Sequence, residues 1–117
     1  MRPLKISIDP IPDHSRAYIV HFEGDFDGYA QEKLTDIQKF FKEAKQNITV
    51  ILDFSKLNYL NSYAIGHLVA WRSHMINLQG RLFIVSVNDP VKESLNAVGG
   101  NLLFNFLSDV NAAIQAI

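Results

Sequence analysis

Residues 48–54 read Ile-Thr-Val-Ile-Leu-Asp-Phe, a near-continuous apolar run. A half-exposed strand alternates apolar and polar residues, so a run this continuous belongs to a strand covered on both faces. Such a strand needs layers above and below it, which points to an α/β arrangement. Leu52, at the heart of the run, is expected to be buried, with truncation to alanine costing roughly 2–5 kcal/mol.

The flanking segments fit that arrangement. Leu4-Lys5-Ile6-Ser7-Ile8 alternates like a half-exposed strand, and residues 17–22 (Ala-Tyr-Ile-Val-His-Phe) are β-rich; Pro10 and Pro12 between them predict a turn and an antiparallel edge hairpin. From Gly28 the period changes to that of a helix. Leu34, Ile37, Phe40, Phe41 and Ala44 form the apolar stripe, and Asn47 ends it. A second helix is expected over residues 62–78, carrying Ile65, Leu68, Val69, Arg72, Met75 and Ile76 at helical spacing. Ser62 is expected at its N-cap and Gly80 at its C-terminal cap. A strand over residues 81–87 follows. Asp89-Pro90 then reads as a cap and first helical residue before Val91, Leu95 and Val98, with Gly99-Gly100 as the stop. Leu102, Leu103, Phe104 and Phe106 suggest a last strand, and Ser108 a cap for a terminal helix. The order β-β-α-β-α-β-α-β-α predicts one α/β domain over residues 1–117, with a mixed, mostly parallel sheet of four to five strands and about four helices.

Composition narrows the function. With 11 Lys and Arg against 12 Asp and Glu, the net charge of −1 gives no electrostatic case for nucleic acid or an anionic membrane. No apolar run reaches a membrane-spanning length, and Met1-Arg2-Pro3-Leu4-Lys5 lacks an apolar signal core, so the expected location is cytoplasmic. The absence of cysteine excludes disulfides, thiolate catalysis and cysteine-based metal sites.

Catalytic constellations are equally sparse. His67 and His74 stand seven residues apart on one predicted helix, roughly 10 Å along its axis and too far apart to share one ion. No nucleophile elbow, P-loop or dinucleotide fingerprint occurs. Asp25, Asp27 and Asp53 are expected near strand ends that face one crevice, the ligand edge of parallel α/β sheets. A phosphoaccepting receiver domain would place a lysine after its last strand, and none follows here. Caps and turns account for the three aspartates. No cofactor, metal or catalytic residue is assigned, and the chain is read as no enzyme.

The informative segment is Leu60-Asn61-Ser62-Tyr63-Ala64-Ile65-Gly66. A hydroxyl at a helix start is reachable, and the dipole there tolerates added negative charge. Together with Gly24-Asp25-Phe26-Asp27, the strand Leu52-Asp53-Phe54-Ser55 and the later Leu82-Phe83-Ile84-Val85 strand, this segment resembles the STAS family, the sulfate-transporter and anti-sigma-factor-antagonist domain. The resemblance covers nearly the whole chain. In that family an Asp-Ser-Ser-Gly-Leu-Gly-like run carries a serine or threonine that a partner anti-sigma kinase phosphorylates, and the matching position is Ser62. Asn61 departs from the usual aspartate, Tyr63 from a small residue and Ala64 from a glycine.

The resemblance implies a bacterial partner-switching module that regulates transcription as an anti-sigma factor antagonist. The unphosphorylated chain would bind an anti-sigma factor serine kinase, phosphorylation at Ser62 would release it, and a phosphatase would reset it. The implied docking surface comprises Asn61, Tyr63, Ile65, Gly66, Asn58, Asp25 and Asp27. The alternative is a constitutive STAS scaffold subunit, stressosome-like or in a lipid-transport complex, favoured by Asn61 and Tyr63. A small-molecule site near Asp25 and Asp53 is a third reading.

Overall fold

The apolar run lies at the centre of the sheet. In the computed structural model, which describes residues 2–117, five strands stand in the order β1 (Lys5–Pro10), β2 (Ala17–Phe26), β3 (Thr49–Leu60), β4 (Arg81–Val85) and β5 (Asn105–Leu107). β1 pairs antiparallel with β2, as the hairpin pattern predicts, and every other pairing is parallel. α1 (Thr35–Glu43), α2 (Ser62–Asn77), α3 (Asp89–Asn96), α4 (Gly100–Leu103) and α5 (Val110–Gln115) complete the α/β domain.

The two sheet faces are covered unequally. Val20, Phe22 and Phe26 of β2 and Leu52, Phe54 and Leu57 of β3 meet Ile37, Phe41, Leu68, Trp71, Met75, Val91 and Leu95 from α1, α2 and α3 in the main core. On the other face, Ile51, Phe83 and Val85 pack with Ala113 of α5 in a smaller cluster. Leu52 is fully buried, in keeping with a central strand.

The elements differ from expectation in three places. Gly28–Leu34 forms a 3-10 turn, so α1 begins only at Thr35. β3 continues past Phe54 to Leu60, since Leu57 and Leu60 remain buried although the residues between them are polar. Residues 100–103 form a short helix rather than part of a strand, because Gly99, at φ 81°, turns the chain and Gly100 packs against the Leu95 carbonyl. Leu102 is consequently 85% exposed, and Val98 and Ile76 also face outward instead of joining the apolar stripes. Three caps sit one residue from their expected positions. Asn88 rather than Asp89 caps α3, Asp109 rather than Ser108 caps α5, and Asn61 rather than Ser62 caps α2.

Candidate functional site

The start of α2 is built by Asn61. In extended backbone, its side-chain oxygen accepts hydrogen bonds from the Tyr63 and Ala64 amides at 3.1 and 3.3 Å. Its own amide donates to the Phe26 carbonyl, tying α2 to the end of β2. Asparagine caps a helix about as well as aspartate. The position where the resemblance expects aspartate therefore keeps the cap without the charge. Ser62 becomes the first residue of α2, exposed, with its hydroxyl uncommitted among the described residues. The expectation that Ser62 caps the helix is corrected: the cap needs the extended backbone and short acceptor of Asn61, and one oxygen already serves both amides.

The rest of the predicted surface divides into free and committed groups. Tyr63 is half-buried, its ring edge-on to His67 at 4.8 Å, and His67 stacks over Phe26. Ala64 is buried in the core and Ile65 is half-buried. Gly66 is exposed, and a side chain there would enter open space, so packing within the chain does not demand a glycine. Asn58 is exposed on β3 beside Tyr59, whose Cα pairs with that of Asp25 across the strands. Gly24–Asp27, Asn58 and Asn61–Tyr63 are thereby brought to one edge, the C-terminal ends of β2 and β3.

Both aspartates of that edge are already engaged. The Asp25 carboxylate accepts from the Arg2 amide at 3.1 Å, and the Asp25 amide donates to the Arg2 carbonyl at 3.0 Å. Asp27 is 9% exposed and caps the 3-10 turn by accepting from the Tyr29 amide. They shape the loop. Tyr29 projects beside them, 83% exposed. Sequence reading missed it because it falls outside both periodicities; an aromatic following Asp27-Gly28 in a turn was its only signal.

Asp53 does not join this edge. β3 extends seven residues beyond it, which leaves Asp53 within the strand. There its carboxylate accepts from Nδ1–H of His21, its cross-strand neighbour, at 2.7 Å. Partial burial pushes the Asp53 carboxyl up, but hydrogen bonds from the Ser55 amide and the His21 ring, with lesser help from the Ser55 hydroxyl and the charge of His21, outweigh it and hold the group below the ordinary carboxylate range. The three aspartates therefore do not face one crevice. His74 donates Nε2–H to the Phe41 carbonyl at 2.7 Å, a structural tie between α2 and α1. Among the described residues, no group of three or more His, Cys, Asp or Glu is placed to hold a metal ion, and no helix is long and apolar enough to cross a membrane.

Comparison with known proteins places this geometry. The STAS domain family model matches residues 10–113. No curated protein matches the chain. Among solved structures, an anti-sigma factor antagonist from Mycobacterium paratuberculosis superposes with a TM-score of 0.76 at 18% identity, over 95% of this chain and 94% of that one. The Bacillus cell fate determinant SpoIIAA in its phosphorylated form gives 0.67 at 14% identity, over 95% and 100% of the two chains. The murine anion transporter Slc26a9 gives 0.71 at 13% identity, over 98% of this chain but only 22% of the transporter. At these identities the likeness is one of fold.

Proposed function

This chain belongs to the STAS family, and on that premise we propose that it is a regulatory protein-interaction module of the anti-sigma factor antagonist kind, switched by phosphorylation at Ser62. One observation carries the reading: the Ser62 hydroxyl is exposed and uncommitted at the first turn of α2, while Asn61 carries the cap. In the proposed cycle, the Ser62 oxygen attacks the γ-phosphorus of ATP held by an anti-sigma factor serine kinase. The new O–P bond forms as the bond to the β-phosphate oxygen breaks, and the hydroxyl proton passes to a base of the kinase. A phosphatase later returns the serine with water. The chain is substrate and switch, and the catalytic groups belong to the kinase and the phosphatase.

The N-terminal dipole of α2 tolerates the added charge, which keeps the phosphorylated domain folded. At a docked partner the same charge, close to two units, costs desolvation and repulsion. The contact area we assign is Asn58, Asn61, Tyr63, Ile65 and Gly66, framed by the Asp25–Asp27 loop and extended by Tyr29 and Tyr59. Exposed tyrosines supply large contact area at such interfaces. The proposed setting is the cytoplasm of a bacterium, in regulation of transcription.

The test captures partners from host lysate on wild-type, Ser62→Ala and Ser62→Glu baits and identifies them by mass spectrometry. Recovery of an ATP-binding kinase by wild type and Ser62→Ala, with loss on Ser62→Glu, is the expected outcome. Equal recovery of one partner on all three baits would sink the switch and leave a constitutive scaffold.

A further inference from the structure

The face of the sheet that α5 covers is closed only over part of its area. Beside that cover, toward β1, runs an open polar groove made of two adjoining cavities of about 370 and 450 Å³, which share Lys5, Glu23, Ser55 and Lys56. Its floor is ordered in cross-strand rows. Lys5 of β1, Glu23 of β2 and Lys56 of β3 are register partners, and so are Ser7, His21 and Asp53 in the next row.

Ser55 and Lys56 both line the groove although they are adjacent on one strand. Successive residues of a regular strand point to opposite faces. The register shift between His21 and Glu23 against β3 removes that restriction, since a bulge re-aims a side chain. The row itself is loosely paired: both lysine ammonium groups stand 3.9 Å from the same Glu23 carboxylate, at the outer limit of an ion pair, and both side chains are largely exposed. Arg2 and Asn58 close the far end. Lys5 and Lys56 thus flank Glu23, the one carboxylate lining that end, which Arg2, Ser55 and Asn58 also line, and a single monovalent acceptor underuses the donors of the two lysines. His21, fixed by its bond to Asp53, bounds the groove at the other end.

We infer that this groove binds a small phosphate-bearing anion, with Lys5 and Lys56 as the principal contacts, Arg2, Ser55 and Asn58 as supporting donors, and Glu23 as the group it displaces. The site adjoins the Ser62 edge, sharing Asn58 with it, and does not depend on phosphorylation there.

The experiment titrates the full chain with inorganic phosphate against sodium chloride at matched ionic strength, following backbone amides by NMR. The expected result is a saturable set of shifts confined to residues of the groove rows and Asn58, absent with chloride. Removal of both ammonium groups in Lys5→Ala/Lys56→Ala weakens binding about tenfold. Glu23→Gln, which removes the competitor, tightens it about two- to fivefold, the size of an exposed charge pair. Thermal melts of the variants establish that they are folded, as these exposed side chains predict. Shifts that rise linearly without saturation, spread over lysines elsewhere, or persist unchanged in the double variant overturn the site.

Discussion

The two ends of α2 solve the same problem in different ways. Each end leaves backbone groups without helical partners. At the N-terminus a side chain does the work: Asn61 takes the Tyr63 and Ala64 amides, and the next residue, Ser62, is released to solvent. At the C-terminus the backbone does it. The Gly80 amide donates to the Met75 carbonyl and the Gln79 amide to the Ile76 carbonyl, with Gln79 in the left-handed region at φ 54°. That pair of bonds is the Schellman arrangement. Here Gly80 is needed for close approach rather than for left-handed backbone, because a side chain there would meet the Ile48 carbonyl at 2.5 Å. One end is sealed against the core; the other presents an unused hydroxyl.

The largest expected effect tests the sealed end. Gly80→Ala drives a methyl group into the Ile48 carbonyl and the tip of Met75, and overpacking of this kind costs about 1–3 kcal/mol. Urea unfolding measures it. A variant as stable as wild type would mean that the α2–β4 turn yields easily, and the two ends would no longer differ.

Next comes the open end. Asn61→Ala leaves two amides of the first turn without their acceptor and is expected to cost about 1 kcal/mol, within the usual 0.5–2 range for caps. Asn61→Asp should hold the stability while adding charge beside Ser62, separating the capping role of this position from its charge. Smaller again, and opposite in sign, is Gln79→Gly. Relief of left-handed strain, worth roughly 1–2 kcal/mol, exceeds the extra chain entropy of glycine by about 0.5 kcal/mol. A rise in unfolding midpoint is expected, and a fall would assign Gln79 a contact that outweighs its backbone.

Much of this was legible in the residues. The continuous run around Leu52 identified the central strand, and the stripes of α1 and α2 identified the helices that cover it, because burial on a fixed period leaves a pattern in the chain. Caps left a weaker trace. Asn61-Ser62, Asn88-Asp89 and Ser108-Asp109 each offer two competent residues in succession, and the choice depends on which one the incoming strand holds in extended backbone. For Asn61 that is decided by its amide bond to Phe26, thirty-five positions away. Residues 55–60 failed as a strand signal because their bulged pairing with β2 breaks the alternation. The engagement of Asp25 by Arg2 and the row from Lys5 through Glu23 to Lys56 are products of strand register, and no local pattern encodes them. Among the site residues, Ser62 was found through resemblance, whereas its freedom from the cap emerged only from geometry.

The smallest expected effect on stability is the most useful for function. Had Ser62 been the cap, its replacement by alanine would cost about 0.5–2 kcal/mol. At the first helical position, exposed and unbonded, the expected change is within about 0.5 kcal/mol, and the good helix propensity of alanine can offset it altogether. Ser62→Asp should gain about 0.3–1 kcal/mol from the positive end of the α2 dipole, an advantage that fades with added salt. Paired melts of the two variants at low and high ionic strength measure both. A silent alanine and a salt-sensitive gain for aspartate would mean that any loss of partner binding on charging Ser62 arises at the contact itself and not from a weakened fold. A clear loss of stability for Ser62→Ala would restore the serine to a capping role and erase the distinction between the committed Asn61 and its free neighbour.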